Sequence, residues 1–244
     1  MAVAINCDMG ESFGLYKMGD DEGMMPLISV ANVACGFHAS DPNHMRSTVR
    51  LAMAHNVKVG AHPSLPDLPG FGRREMKMGR EEMANIIIYQ VGALKGFLEA
   101  EGIELNHIKP HGSLYGMSAR LEHIAHAVCD AADVFGVPLF GMINTLHEKI
   151  YQERGHTFVA EFYADLDYDD DGTLIITREH EPVDPPEAAK RCLRAIKAGK
   201  TASVNGVDVD VRADSICIHS DTPNAVAVAK AVREAVLPYL DEAA

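Results

Sequence analysis

The sequence predicts an α/β fold, a distorted seven-stranded (β/α) barrel, and three observations carry that expectation. Short apolar runs alternate with helical patterns, the chain has the length of one such barrel, and ionisable residues gather where the apolar runs end. At 244 residues a single core buries about three-quarters of the unfolded chain's surface, so neither disulfides nor metal are needed to hold it. Candidate strands are residues 3–6, 30–37, 57–62, 106–109, 138–142, 157–162 and 215–219. Alternation of strand and helix is the pattern of a parallel sheet with crossover helices. The expected organisation is therefore one barrel domain over residues 1–244, with an open doubly wound sheet as the alternative.

The helices between these runs have readable start and stop signals. Asp41-Pro42 places an N-cap before a first-turn proline, and the helix that follows sets Met45, Val49 and Met53 on one face. Residues 81–100 form a long helix with Ile86, Ile87, Leu94 and Phe97 toward the core. Asp184-Pro185 opens another, which Gly199 ends. Thr222-Pro223 opens the last, which runs to about Leu240.

Two segments break the alternation. Asn205-Gly206 between Val-rich arms predicts a small β-hairpin over 203–212. Asp169-Asp170-Asp171-Gly172 predicts a turn leading into Leu174-Ile175-Ile176. Asp167, Asp169, Asp171 and Gly172 have the spacing of the start of a calcium loop. Its twelfth position, however, is Arg178, where such a loop needs a bidentate acid.

Composition narrows the function classes. With 47% hydrophobic and 23% charged residues the chain has a globular balance, and a net charge of −13 opposes binding to nucleic acid or an anionic membrane. No apolar run approaches the roughly 20 residues that span a bilayer. Residues 1–6 read as a strand without the basic start and long apolar stretch of a signal peptide, so a cytoplasmic protein is expected. Five cysteines without a C-x-x-C pair, three on apolar runs (Cys7, Cys35, Cys217) and two on helical patterns (Cys129, Cys192), read as buried free thiols.

The chemistry sits at the strand ends. The first run ends Asn6-Cys7-Asp8 and continues to Glu11, the second ends at His38, the third at His62, and the fourth at Lys109-Pro110-His111. The sixth carries Glu161 and then Asp165, and the seventh ends His219-Ser220-Asp221. One such residue is commonly a helix cap or a satisfied hydrogen-bonder. Six strand ends agreeing is different, because a barrel points them all at one face, and ionisable groups crowd a shared cavity only to pair, bind metal or react. Asp8, His38, His62 and His111 are the residues that could hold a metal, although no fixed-spacing metal motif demands one. His44, His55, His107, His123, His126, His147, His156 and His180, on helical segments or at loop and strand edges, read mostly as solvated. Arg73-Arg74 offers a planar fork for a carboxylate or a phosphate, or else a surface pair balancing Glu75 and Glu81. The P-loop, the dinucleotide fingerprint and the G-x-S-x-G elbow are all missing.

Six motifs resemble the LamB/YcsF lactam-utilisation family. They are Asn6-Cys7-Asp8-Met9-Gly10-Glu11-Ser12-Phe13-Gly14, Ala31-Asn32-Val33-Ala34-Cys35-Gly36-Phe37-His38-Ala39 and Gly60-Ala61-His62-Pro63-Ser64. Gly70-Phe71-Gly72-Arg73-Arg74, Lys109-Pro110-His111-Gly112-Ser113-Leu114-Tyr115 and Ile218-His219-Ser220-Asp221-Thr222-Pro223 complete the set. The resemblance implies a barrel related to glycoside hydrolases and deacetylases. It also implies a hydrolase of cyclic amides, the A-subunit role in a 5-oxoprolinase: ATP-dependent opening of 5-oxo-L-proline to L-glutamate. ATP, with Mg2+, is the implied cofactor; subunits B and C are the implied partners, and self-association stays open. Asp8, Glu11, His38, His62, Lys109, His111, Glu161, Asp165, His219 and Asp221 are the implied catalytic residues, with Asn6, Arg73 and Arg74 toward substrate. Two readings compete: a metal-dependent amide hydrolase or deacetylase, and a non-catalytic subunit of a lactam-hydrolysing complex. The chain departs from the family pattern at Leu166, where an Arg is usual, and at Ser40 and Ser220, where Gly is common.

Overall fold

Strands buried on both faces read as unbroken apolar runs, and here they curl into a closed ring. The computed structural model describes residues 3–177 and 180–240, so Arg178 lies outside the described residues. In chain order the strands are β1 (Ala4–Met9), β2 (Val30–Ala34), β3 (Lys58–His62), β4 (Leu105–Ile108), β5 (Leu139–Gly141) and β6 (Phe158–Tyr163). Then come β7 (Asp167–Tyr168), β8 (Leu174–Ile175), β9 (Lys200–Ala202), β10 (Asp208–Asp210) and β11 (Ser215–His219). The closed parallel barrel has the order β1-β11-β6-β5-β4-β3-β2, so β1 stands between β11 and β2. This is the expected seven-stranded barrel, and it is uneven. β4 meets β5 through the single register pair Ile108 and Leu139, and the β3–β4 register shifts between Val59 and Ala61.

The helices are α1 (Asp21–Met24), α2 (Pro42–Ala54), α3 (Arg80–Glu101), α4 (Gly112–Arg120), α5 (Glu122–Phe135), α6 (Leu146–Glu153), α7 (Pro185–Ala198) and α8 (Ala225–Val236). No helix among the described residues is long and apolar enough to cross a membrane. α2 starts where Asp41-Pro42 requires, with the Asp41 carboxylate accepting from the N–H groups of Asn43 and His44. Its buried stripe is Met45, Thr48, Val49 and Ala52, while Met53 is 44% exposed. The spacing of three and four residues, rather than four and four, corrects the expected face.

α8 begins later than expected, with Asn224 as its N-cap. Thr222 is drawn away from capping: its hydroxyl donates to Asp165 Oδ2 at 3.3 Å. Residues 237–239 form a 3-10 turn rather than a continuation of the helix. Asn205-Gly206 does turn an antiparallel pair, with Ser203 N–H bonded to Val207 O at 2.8 Å, but its arms are β9 and β10. The acidic segment turns β7 into β8 through the Asp169 carboxylate, which accepts from the N–H groups of Asp171 and Thr173.

Two of the histidines read as solvated are structural instead. His107 is fully buried, stacked on Phe140 with centroids 3.9 Å apart, and its Nε2 lies 2.7 Å from Asn32 Oδ1. His147 Nδ1 accepts from Met142 N–H, and its Nε2 meets Ser118 Oγ at 2.8 Å. Burial lowers each to about 3, so both rings stay neutral. Their helical and strand-edge spacing carries no sign of this, because each neighbour comes from a distant segment.

The barrel wall makes two backbone demands that a substitution can test. A Cβ at Gly60 would overlap the His107 ring, which has no room to retreat. Gly60→Ala should therefore cost about 3 kcal/mol in urea unfolding. Ser40 holds a left-handed φ of 74°, a conformation that glycine adopts without strain. Ser40→Gly should gain about 1 kcal/mol. A loss instead would mean that its hydroxyl bond to Asp41 O outweighs backbone strain.

Candidate functional site

A buried lysine organises the floor of the barrel mouth. Lys109, just past β4, points its Nζ at Asp8 Oδ1 (2.9 Å), Cys217 Sγ (3.0 Å) and Glu161 Oε1 (3.3 Å). Burial alone would strip its proton, but the charges of Asp8 and Glu161 outweigh that and hold the ammonium charged. Asn32 Nδ2 ties the floor together by donating to both Asn6 Oδ1 and Asp8 Oδ1 at 2.8 Å. Asn6 was expected to touch substrate. It is fully buried, with its amide donating to Ser215 Oγ at 2.7 Å, so it is a brace inside the barrel rather than a contact for a ligand.

Asp8 is met from several strands at once. Besides Lys109 and Asn32, its Oδ2 lies 3.1 Å from His62 Nε2 and 3.6 Å from His219 Nε2. Burial would raise its carboxyl, yet His62 and Lys109 hold it well below the usual carboxylate range. Cys7, Cys35 and Cys217 are buried free thiols whose values burial pushes up, so none is set up as a thiolate nucleophile.

One side of the mouth is a histidine cluster. His62 Nε2 is 2.9 Å from His111 Nδ1, and the His38 and His111 rings stack at 3.9 Å. Glu11 Oε1 lies 3.3 Å from His38 Nε2 and 3.5 Å from His111 Nδ1. Burial lowers His38 and His111, while burial and the charges of Asp8 and Asp221 push Glu11 up. The donor atoms of Glu11, His38, His62 and His111 all fall within 4.8 Å of one another, as do those of Asp8, Cys217 and His219. These two groups, among the described residues, could hold a metal ion. In the histidine-rich set Glu11 therefore takes the place expected for Asp8.

The opposite side is built from β6, β11 and the loop after β3. Asp165 accepts the His219 N–H at 2.7 Å and faces His219 Nδ1 at 3.0 Å, which fixes the ring with Nε2 toward Asp8. Burial opposes a charged His219, but Asp165 outweighs it and raises the ring above its ordinary value. Left-handed Phe71 and Gly72 turn the next residue inward, and Arg73 reaches Asp221 Oδ2 (2.8 Å) and His180 Nε2 (2.9 Å). Arg74 is the exception among the expected site residues. Its side chain is 56% exposed and paired with Asp67, so it braces the loop on the outside.

His180, read as solvated, belongs to the cleft. Its ring also lies 3.6 Å from Asp221 Oδ2. Only the fold could reveal it, since its partners are 107 residues away at Arg73 and on the far side of the β11 end. The cleft between the two sides is lined by Asp8, His62, Arg73, Lys109, His111, Tyr115, Tyr163, His180 and His219, with Leu166, Leu174 and Ile176 as an apolar wall. Leu166 thus lines the cleft rather than the outer surface. The arrangement presents a fixed anion, an imidazole whose proton affinity Asp165 raises, and a guanidinium to one small polar molecule.

Known proteins share this chain almost end to end. The LamB/YcsF family model matches residues 3–238. The lactam utilization protein lamB of Emericella nidulans is 48% identical over 239 residues, 95% of this chain and 93% of its own length. The A subunit of 5-oxoprolinase from Staphylococcus aureus is 44% identical over 241 residues, 97% of this chain and 96% of its own. The crystal structure of a lactam utilization protein from Thermus thermophilus superposes with a TM-score of 0.90 at 44% identity, over 98% of this chain and 97% of that one. A GH113 β-1,4-mannanase, 10% identical, superposes at a TM-score of 0.51 over 97% of this chain and 99% of its own, a likeness of fold alone.

The floor of the mouth should be intolerant of losing its cation. Lys109→Met leaves the buried Asp8 and Glu161 without their shared partner, and should cost about 3–5 kcal/mol. A urea midpoint close to that of the parent would show that the buried charges are not coupled as their distances indicate.

Proposed function

The chain belongs to the LamB/YcsF family, and from that premise we propose that it is the A-type subunit of an ATP-dependent 5-oxoprolinase. It opens the lactam of 5-oxo-L-proline to give L-glutamate, acting with subunits B and C. The observation that carries this reading is the meeting of Asp8, the Asp165–His219 pair and Arg73 in one narrow cleft. The names of the two relatives described above support a role in lactam utilization, and one of them names a 5-oxoprolinase.

A five-membered lactam is an unactivated amide with a poor leaving group. Coupling to ATP answers this: the amide oxygen takes the γ-phosphoryl group and ADP departs. Water then adds to the former carbonyl carbon, and the ring nitrogen leaves as a protonated amine. A second water cleaves the resulting acyl phosphate to glutamate and phosphate. The chain has no P-loop, so part of the nucleotide chemistry, with its Mg2+, falls to the partner subunits.

The site's electrostatics assign the roles. Asp8, held ionised by His62 and Lys109, fixes the attacking water and serves as its base. His219, whose hold on a proton Asp165 strengthens, delivers the proton to the departing nitrogen. His62 and His111 line the same cleft beside Asp8. Arg73 meets the substrate carboxylate. A second reading has one observation in its favour. Leu166, Leu174 and Ile176 wall the cleft, and Arg73 is already paired with Asp221, an environment that suits a lactam without a ring carboxylate.

Co-purification with subunits B and C, followed by an assay of ATP-dependent glutamate release, tests the proposal. The complex should turn over 5-oxoproline, the chain alone should show little activity, and Asp8→Asn should lose about 10²–10⁴-fold while staying folded. Near-normal turnover by that variant removes Asp8 from the chemistry. Faster opening of the unsubstituted five-membered lactam favours the second reading. Full activity with every site histidine changed to alanine makes the chain a non-catalytic subunit.

A further inference from the structure

Two backbone carbonyls fix the protons on a pair of facing histidines. His62 Nδ1 lies 2.8 Å from Lys109 O, and His111 Nε2 lies 2.9 Å from Phe71 O. A carbonyl oxygen only accepts, so each of those nitrogens carries its ring's proton. That leaves His62 Nε2 and His111 Nδ1 facing each other at 2.9 Å, each with a bare lone pair when the rings are neutral. Two lone pairs in contact need positive charge beside them, either an additional proton or a cation.

Two more donors crowd the same point. Glu11 Oε1 stands 3.3 Å from His38 Nε2 and 3.5 Å from His111 Nδ1. Ligand atoms held about 2.1 Å from one ion, at right-angle to tetrahedral spacing, lie about 3.0–3.4 Å apart. The three separations within the cluster are of that size. An extra proton on His62 could be shared with His111 and with Asp8 Oδ2 at 3.1 Å. It would leave the approach of Glu11 and His38 unexplained. The loop is also shaped to this cluster: a Cβ on Gly72 would come within 2.9 Å of His38 Cβ and 3.0 Å of His111 Cδ2.

We propose that Glu11, His38, His62 and His111 bind one divalent transition-metal ion through Oε1, Nε2, Nε2 and Nδ1. The carbonyls of Lys109 and Phe71 are the orienting partners that metal-bound imidazoles use on their other nitrogen. Three imidazoles and one carboxylate suit zinc, cobalt, nickel or manganese, whereas magnesium and calcium prefer all-oxygen shells. The neighbouring trio of Asp8, Cys217 and His219 is a poorer site, because the Lys109 ammonium already supplies the positive charge to Asp8 and Cys217. This inference stands on side-chain geometry and does not depend on the proposed reaction. A metal there would add an electrophile one side chain from Asp8.

The test uses the full chain, untagged, stripped with a chelator and dialysed, then titrated with Co2+ and in parallel with Zn2+. One equivalent of Co2+ should bind with visible ligand-field absorption, be displaced by Zn2+, and raise the melting temperature. Glu11→Gln and His38→Gln should each weaken binding tenfold or more, while His123→Gln, at an exposed helical position, should not change it. No saturable binding, or equal affinity in Glu11→Gln and the parent, would overturn the proposal. Should either variant unfold, side-chain 15N spectra of the parent protein decide. Zn2+ should move His38, His62 and His111 together. An unchanged spectrum with His62 doubly protonated would mean that a shared proton occupies the site instead.

Discussion

A buried ammonium is expensive, and the barrel mouth is arranged around making Lys109 tolerable. Asp8 on β1 and Glu161 on β6 balance its charge, and its hydrogens go to Asp8 Oδ1, Asn6 Oδ1 and Cys217 Sγ. Neither carboxylate could be removed without weakening the compensation of a charge in a dry interior, where the penalty is several kcal/mol. This constraint sets the strand register at the mouth. β1 must bring Asp8 level with His219 on β11, and that is the observed pairing.

From Lys109 the polarity of the rest follows. Together with His62 it keeps Asp8 ionised despite burial, so a permanent anion stands at the centre of the cleft. A fixed anion draws donors toward it, and two rings lie within reach: His62 and the Asp165-supported His219. Farther from Lys109, Glu11 has no lysine to balance it and is faced instead by the neutral imidazoles of His38 and His111. The two carboxylates of the first strand motif, only three residues apart in sequence, therefore sit in opposite electrostatic settings. Environments that push like groups apart are how one site acquires two roles.

The ring of strands was legible because both signals that specify it are local: apolar runs of strand length and caps such as Asp41-Pro42. Convergence of Asp8, His38, His62, Lys109, His111, Glu161, Asp165 and His219 was legible too, because each ends or follows a strand and a parallel barrel has only one such face. Sequence could not separate Arg73 from Arg74, since the deciding feature is the left-handed pair Phe71 and Gly72, which turns one inward and the other to Asp67. Nor could it distinguish Asn6 as a brace, because that depends on Ser215 and Asn32 from neighbouring strands. His180 reached the cleft unannounced, since nothing in its own segment marks it as a neighbour of Arg73.

The ring order explains why the mouth divides into two chemically different halves. β2, β3 and β4 run to one side of β1 and deliver His38, His62, Lys109 and His111; β11 and β6 run to the other and deliver His219, Asp221 and Asp165. Asp8 touches both, through His62 at 3.1 Å and His219 at 3.6 Å. A change of charge on either half must therefore be felt by the other through this carboxylate. Leu166 lies on the β6 side, where an arginine would have added a further cation near Asp8 and His219. Its apolar side chain instead leaves Arg73, already engaged with Asp221, as the guanidinium lining the cleft. The floor, where every charge is spoken for, tolerates little change, whereas the apolar wall can vary without disturbing it. Such a division lets the charged floor be kept while the shape of the molecule the cleft accepts differs.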